Sequence, residues 1–177
     1  MQPECKTTTC PDCGVPLIAG LTCRDLFDQL LAREFADPRY FGVHRLTVDT
    51  YSLQHPAQFM ESAKSFVAHL TGMHVAMEAR GSVPSAAVPS AAVPGRAERI
   101  NRAVQQWLSR PRELERPTEP PPLARGDVHI GSVLAAATPA EHAEAVEAWA
   151  RSTWAAWREH HGRARSWTRT ATAGLPR

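Results

Sequence analysis

The sequence predicts an all-α protein: one domain of five to six helices behind an N-terminal cysteine-rich metal-binding loop. Three observations carry that prediction. Apolar residues recur at helical spacing through successive long stretches, whereas alternating strand-like runs are nearly absent. All four cysteines fall within the first 23 residues, the last of them at the start of the first helical stretch. A hydrophobic share of 43% over 177 residues is enough to bury one core.

Residues 1–22 read as a loop, broken by Pro11, Gly14, Pro16 and Gly20. Thr22 can cap a helix over 23–36, with Leu26, Phe27, Leu30 and Leu31 facing inward. Asp37-Pro38 restarts the chain as a cap with proline at the first helical position. The second helix is expected over 38–54, ending where Pro56 disfavours helical geometry at His55. A third helix over 58–79 carries Phe59, Ala63, Phe66, Val67, Leu70, Met73 and Met77, with Gly81 as its stop. The short link makes helices two and three neighbours, so 23–80 forms a three-helix core.

Residues 82–95, SVPSAAVPSAAVPG, repeat V-P-S-A-A; a proline every five residues precludes a regular element, and 81–95 reads as a low-complexity insert. The C-terminal helices occupy 96–167. A fourth helix over 96–109 presents Ile100, Val104, Trp107 and Leu108 on one side. The proline-rich stretch RPRELERPTEPPPLARGD is long for a connector, unless it lies along the body of the domain. A short helix is expected near 130–137. Thr138, Pro139 and Glu141 then form a capping box opening a helix over 139–160, with Ala143, Val146, Ala150, Trp154 and Trp157 in one stripe. Residues 168–177 read as a flexible tail.

The chemistry starts at Cys10-Pro-Asp-Cys13-Gly14. Zinc takes thiolate sulfur and imidazole nitrogen in a tetrahedron, and a two-residue spacing lets two sulfurs converge on one ion. Gly14 permits the positive φ that such turns need. Cys23, at the start of the first helix, is the expected third ligand, where the helix N-terminus favours a thiolate. The fourth is open among His44, His55, His69 and Cys5. His44 and His55 share a helix face but stand about 16 Å apart at 1.5 Å per residue, so one ion cannot take both. His44 is favoured because it lies within the helix, where neighbours can orient it. A redox role for the cysteine pair would need a βαβ setting that this sequence lacks.

A second group falls on the facing sides of helices two and three. His44, Asp49, Tyr51 and His69 can cluster there, and His55 follows the same spacing. Asp49, Tyr51, His55 and His69 are the candidate catalytic residues, as an acid–base set or a second metal site. The competing account is a buried network in which Asp49 orients a histidine and fixes the helix packing. The tryptophans near the C-terminus read as core rather than as a ligand cage.

CPDCG, then REFADPRYFGVHRLTVDTYSLQHP, SFVAHL and TPAEHAEAVEAWARSTWAAW together resemble a family of small bacterial proteins of unknown function, frequent in actinobacteria. The likeness spans 10–80 and 96–167. It matches at Cys10, Cys13, Cys23, His44, Asp49, Tyr51, Gln54, His55, Pro56 and His69. The loop between Cys13 and Cys23 is shorter than in that family, and the V-P-S-A-A repeat is extra. The resemblance implies the fold and the site but no reaction.

Composition narrows the function classes. A net charge of +2 gives no nucleic-acid footprint, and no run approaches the ~18 apolar residues of a membrane span. The N-terminal residues lack the basic and apolar blocks of a signal peptide, so the expected compartment is the cytoplasm, with reduced thiols. The expectation is a zinc-binding helical protein, with structural zinc joining the N-terminal loop to the helical body of a binding or accessory module. A small metal-dependent enzyme using the histidine, aspartate and tyrosine group is the alternative. The partner, a protein or a small-molecule ligand, stays open.

Overall fold

The computed structural model describes residues 8–18, 20–79 and 95–174. Cys5, the V-P-S-A-A insert and the Gly81 stop lie outside them. Two short strands, Thr8–Thr9 (β1) and Pro16–Leu17 (β2), pair antiparallel with Thr8 opposite Leu17, and they present the Cys10–Gly14 turn between them. All else that is regular among the described residues is helical.

Helix α1 (Cys23–Ala36) opens on a full capping box. The Asp25 amide donates to the Thr22 hydroxyl, and the Asp25 carboxylate accepts from the Thr22 amide at 2.7 Å. It buries Leu26, Phe27, Leu30 and, on the same stripe, Glu34. Asp37 caps the short α2 (Pro38–Phe41) with proline at its first position. The expected continuous helix over 38–54 is broken here. Gly42 and β-branched Val43, both poor helix formers, separate α2 from α3 (His44–Gln54). His55 leaves the helical region ahead of Pro56, which opens the four-residue α4 (Pro56–Phe59).

Ser62 caps α5 (Ala63–His74), which buries Phe66, Val67, Leu70 and Met73 and continues as one wide π turn over Val75–Ala79. Helix α6 (Arg96–Ser109) lies where predicted and packs Val104 and Leu108 against Val67. The connector does follow the body of the molecule. Arg116 donates to the Met60 and Glu61 carbonyls, and buried His160 donates to the Thr118 carbonyl at 2.7 Å. It leads to α7 (Ile130–Leu134).

Thr138 and Glu141 form the predicted capping box of α8 (Pro139–Ala156). That helix stops at Trp157, four residues early. A turn of 3₁₀ helix over Arg158–His160 redirects the chain into α9 (His161–Ala171). The expected flexible tail is therefore helical as far as Ala171, because Ala164, Trp167, Thr168 and Ala171 recur at helical spacing and pack inward. Breaks at Gly42, at Met60–Ser62 within the expected 58–79 helix, and at Trp157 turn the five to six expected helices into nine among the described residues.

At the centre, α3 packs on α5 and α8, and α5 also packs on α9. Trp149 and Trp157 are fully buried and Trp154 nearly so, as core side chains. No described helix is long and apolar enough to cross a membrane.

Candidate metal centre

The Cys10–Gly14 turn is closed by its own backbone. The Gly14 amide donates to the Cys10 carbonyl at 2.8 Å, and the Cys10 amide donates to the Val15 carbonyl at 2.9 Å. Gly14 has φ +79°, the left-handed conformation that glycine adopts without a Cβ penalty. The turn aims Cys10 and Cys13 inward, both 3% exposed, at Cys23 on the first residue of α1.

His55 completes the group. Its position at the end of α3, unwound by Pro56, swings the ring beneath the cysteines. Its Nδ1 lies 3.0 Å from the Tyr51 carbonyl, which can only accept, so Nδ1 donates there and Nε2 is the ring nitrogen that faces the sulfurs. Nε2 stands 3.3 Å from the Cys23 sulfur and 3.5 Å from that of Cys10, while the Cys13 and Cys23 sulfurs are 3.8 Å apart. All four donor atoms lie within 4.8 Å of one another, and all four residues are buried. This is a set that could hold one metal ion.

Its electrostatics call for a cation. Cys13 is drawn down to about 4, first because the Cys23 thiol donates to it and further by His55, against the opposing effect of burial. Cys23 is pushed up as the donor in that contact, and burial pushes Cys10 up. Three sulfurs this close do not all ionise by themselves; a bound dication reverses that balance.

The His55 imidazole is held from below. Phe27, Tyr51 and His55 form one stack, with ring centroids 3.9 and 4.1 Å apart. The Tyr51 hydroxyl is fully buried, has no hydrogen-bond partner of good geometry and faces the Cys23 sulfur; burial first, then the sulfurs, push its ionisation up. It therefore stays a neutral donor beside a prospective thiolate.

A family model described as a family of unknown function, DUF5946, matches residues 8–158, a span that holds all four donors. The chain belongs to DUF5946. No curated protein and no solved structure matches it.

Within the DUF5946 span, the favoured fourth ligand His44 is not at the thiols. The break at Gly42 turns its ring toward α1, where Nδ1 donates to Glu34 Oε2 at 2.7 Å. Glu34 is completely buried and also accepts from the Thr47 hydroxyl at 2.5 Å and from His142 Nε2 at 3.1 Å. Sequence reading missed both Glu34 and His142, although each interrupts an apolar helical stripe, and a polar group on such a stripe must find partners inside.

The expected group of His44, Asp49, Tyr51 and His69 is distributed over three places. His44 belongs to Glu34 and Tyr51 to the thiol site. Asp49, 1% exposed, accepts from His69 Nδ1 at 2.8 Å and from Arg45 Nε at 2.7 Å. That pair is the buried orienting network, pressed against α5 at Gly72, where a Cβ would come 2.2 Å from Asp49 Oδ2. His74 turns away from it onto Glu78.

Proposed function

We propose that Cys10, Cys13, Cys23 and His55 hold one zinc ion as a closed structural centre that fastens the N-terminal hairpin to the helical body. The observation that carries this reading is the spacing of the donors. A tetrahedral zinc with bonds of about 2.3 Å to sulfur and about 2.05 Å to nitrogen places its sulfurs about 3.8 Å apart and a sulfur and nitrogen about 3.6 Å apart. The distances of 3.8 Å between sulfurs and of 3.3 and 3.5 Å from sulfur to nitrogen sit close to that tetrahedron.

The donor count supports a structural role. Three sulfurs and a nitrogen fill four positions and leave none for water or substrate, as catalytic zinc requires. The dispersal of the histidine, aspartate and tyrosine group withdraws support from an acid–base centre between α3 and α5. The protein acts as a binding or accessory module whose metal is part of its architecture, in a compartment that keeps thiols reduced.

The test is metal content by elemental analysis on protein purified without added metal, for wild type, Cys10→Ser and His55→Ala, with melting temperatures alongside. One zinc per chain in the wild type, lost in both variants together with stability, is expected. Wild-type protein without stoichiometric metal refutes the reading, and a variant that loses metal but keeps its melting temperature refutes the structural role.

A further inference from the structure

Arg125 lies in the proline-rich connector, outside every helix, in the local sequence L-A-R-G-D. An arginine there would ordinarily be solvated, yet this one is 4% exposed. Its guanidinium donates from Nη1 to Asp12 Oδ1 at 2.9 Å and to the Gln54 carbonyl at 3.2 Å. Nε donates to the Pro120 carbonyl at 2.9 Å, and Nη2 to Glu119 Oε2 at 3.2 Å.

The identity of two of those acceptors matters most. Asp12 sits inside the Cys10–Cys13 turn, and Gln54 immediately precedes His55. One cation thus ties together the segments that supply Cys10 and His55, 45 residues apart in sequence. Return bonds close the arrangement. The Asp12 carbonyl accepts from the Leu123 amide at 2.8 Å, and Gln54 Nε2 donates to the Arg125 and Val128 carbonyls. Gln54 Oε1 in turn accepts from Trp149 Nε1 at 2.8 Å. Leu123 holds a left-handed φ of +64°, uncommon for a residue with a side chain, directly beside Gly14 of the turn.

We propose that Arg125 is a positioning residue for the metal centre: it holds the Cys10–Cys13 turn and His55 at ligating distance, and through it the metal and the docked connector stabilise each other. The inference rests on the metal reading above. A planar guanidinium suits this task, because its fixed fork reaches several acceptors at once. An ion pair that served only the fold would stabilise the metal-free and metal-bound protein alike. A clamp on the ligand spacing instead favours the metal-bound state, and by linkage the metal favours connector docking by the same factor.

The test uses the full chain with zinc(II) alone, its dissociation constant read by chelator competition, and the cobalt(II) absorption spectrum in parallel. Arg125→Ala and Asp12→Asn are each expected to weaken zinc about 10–100-fold, as removal of an outer-sphere partner does. They should also shift the thiolate-to-cobalt bands, and the double variant should add little to Arg125→Ala. Arg116→Ala, which loosens the same connector at the Met60 and Glu61 carbonyls, should leave zinc affinity unchanged. If Arg125→Ala and Asp12→Asn lower only the melting temperature and bind zinc as wild type does, the positioning role is overturned while the metal reading stands. If Arg116→Ala weakens zinc as much as Arg125→Ala, general loosening explains the effect and the proposal is overturned. Should Arg125→Ala not fold, Asp12→Asn decides, since the Asp12 side chain is 22% exposed and its change leaves Arg125 three other acceptors. Wild-type protein that takes up neither ion removes the metal reading itself.

Discussion

Replacing His55 with alanine separates it from His44, the histidine that the sequence favours among the candidates for a fourth ligand. The ring is completely buried, stacked on Tyr51 and in reach of two sulfurs, so the change acts in two ways. It empties ring volume in a close-packed region, a loss of about 2–4 kcal/mol by analogy with other large-to-small core changes. It also removes one of four ligands. At a free zinc concentration 1,000 times the dissociation constant, the metal adds about 4 kcal/mol to the stability of the folded chain. For a chain of this size 1 kcal/mol moves the melting temperature by about 2–4 °C, so metal release alone should lower it by about 8–16 °C. The assay is thermal unfolding with and without a strong chelator. Wild type and His44→Ala should both fall by that amount when chelated. His55→Ala should begin low and respond little. If His55→Ala keeps a full chelator response, or if His44→Ala abolishes it, the assignment of the fourth ligand is refuted.

Glu34→Gln replaces one of the two oxygens that accept from His44, Thr47 and His142 with a donor; leaving buried donors unpaired costs about 1–3 kcal/mol, measured by urea unfolding with zinc content unchanged. A loss under about 1 kcal/mol would mean that the carboxylate is dispensable. Gly72→Ala forces a methyl group against Asp49 Oδ2 and should destabilise by about 1–3 kcal/mol, as overpacking does; a neutral result would contradict the close approach of α3 and α5. The amides that open α1 and α8 hold Asp25 and Glu141 below the usual carboxylate range, the Thr22 hydroxyl acting first at Asp25 and the Ala137 and Thr138 amides at Glu141. Depressed values mean that the stability these groups add is present above the ordinary carboxylate pKa and is lost as pH falls through the depressed one. Glu141→Gln should therefore narrow the stability gap between pH 7 and pH 3, and an unchanged gap would dismiss the cap as its source.

Much of this was readable in the chain because the interactions are local. Both capping boxes need only residues three apart, and α1 and α6 lie on the ranges their apolar spacing predicts. The cysteine turn was equally legible, since the distance from Cys10 to Gly14 sets its hydrogen bonds and its left-handed glycine. His44 against His55 was not. Helical spacing puts both on one face, and only the direction in which α3 meets the turn selects between them. Two local breaks decide that outcome: Gly42 sends His44 to Glu34, and Pro56 frees His55 for the sulfurs. Glu34 and His142 did leave a trace, as polar residues on the stripes Leu26–Leu30–Glu34 and His142–Val146–Trp149. Arg125 left none, because nothing in a proline-rich loop says that a cation inside it will be buried.

By itself the sequence determined the helical class, the places where helices begin, and three converging thiols at the N-terminus. Those features follow from backbone preferences and from contacts between residues close along the chain. Only the tertiary structure decided which histidine joins the thiols, that Asp49 and His69 form a separate network, and that the connector reaches back to the cysteine turn. Those outcomes depend on how α1, α3 and α8 and the connector pack together, over separations where burying or pairing a charge outweighs any local preference.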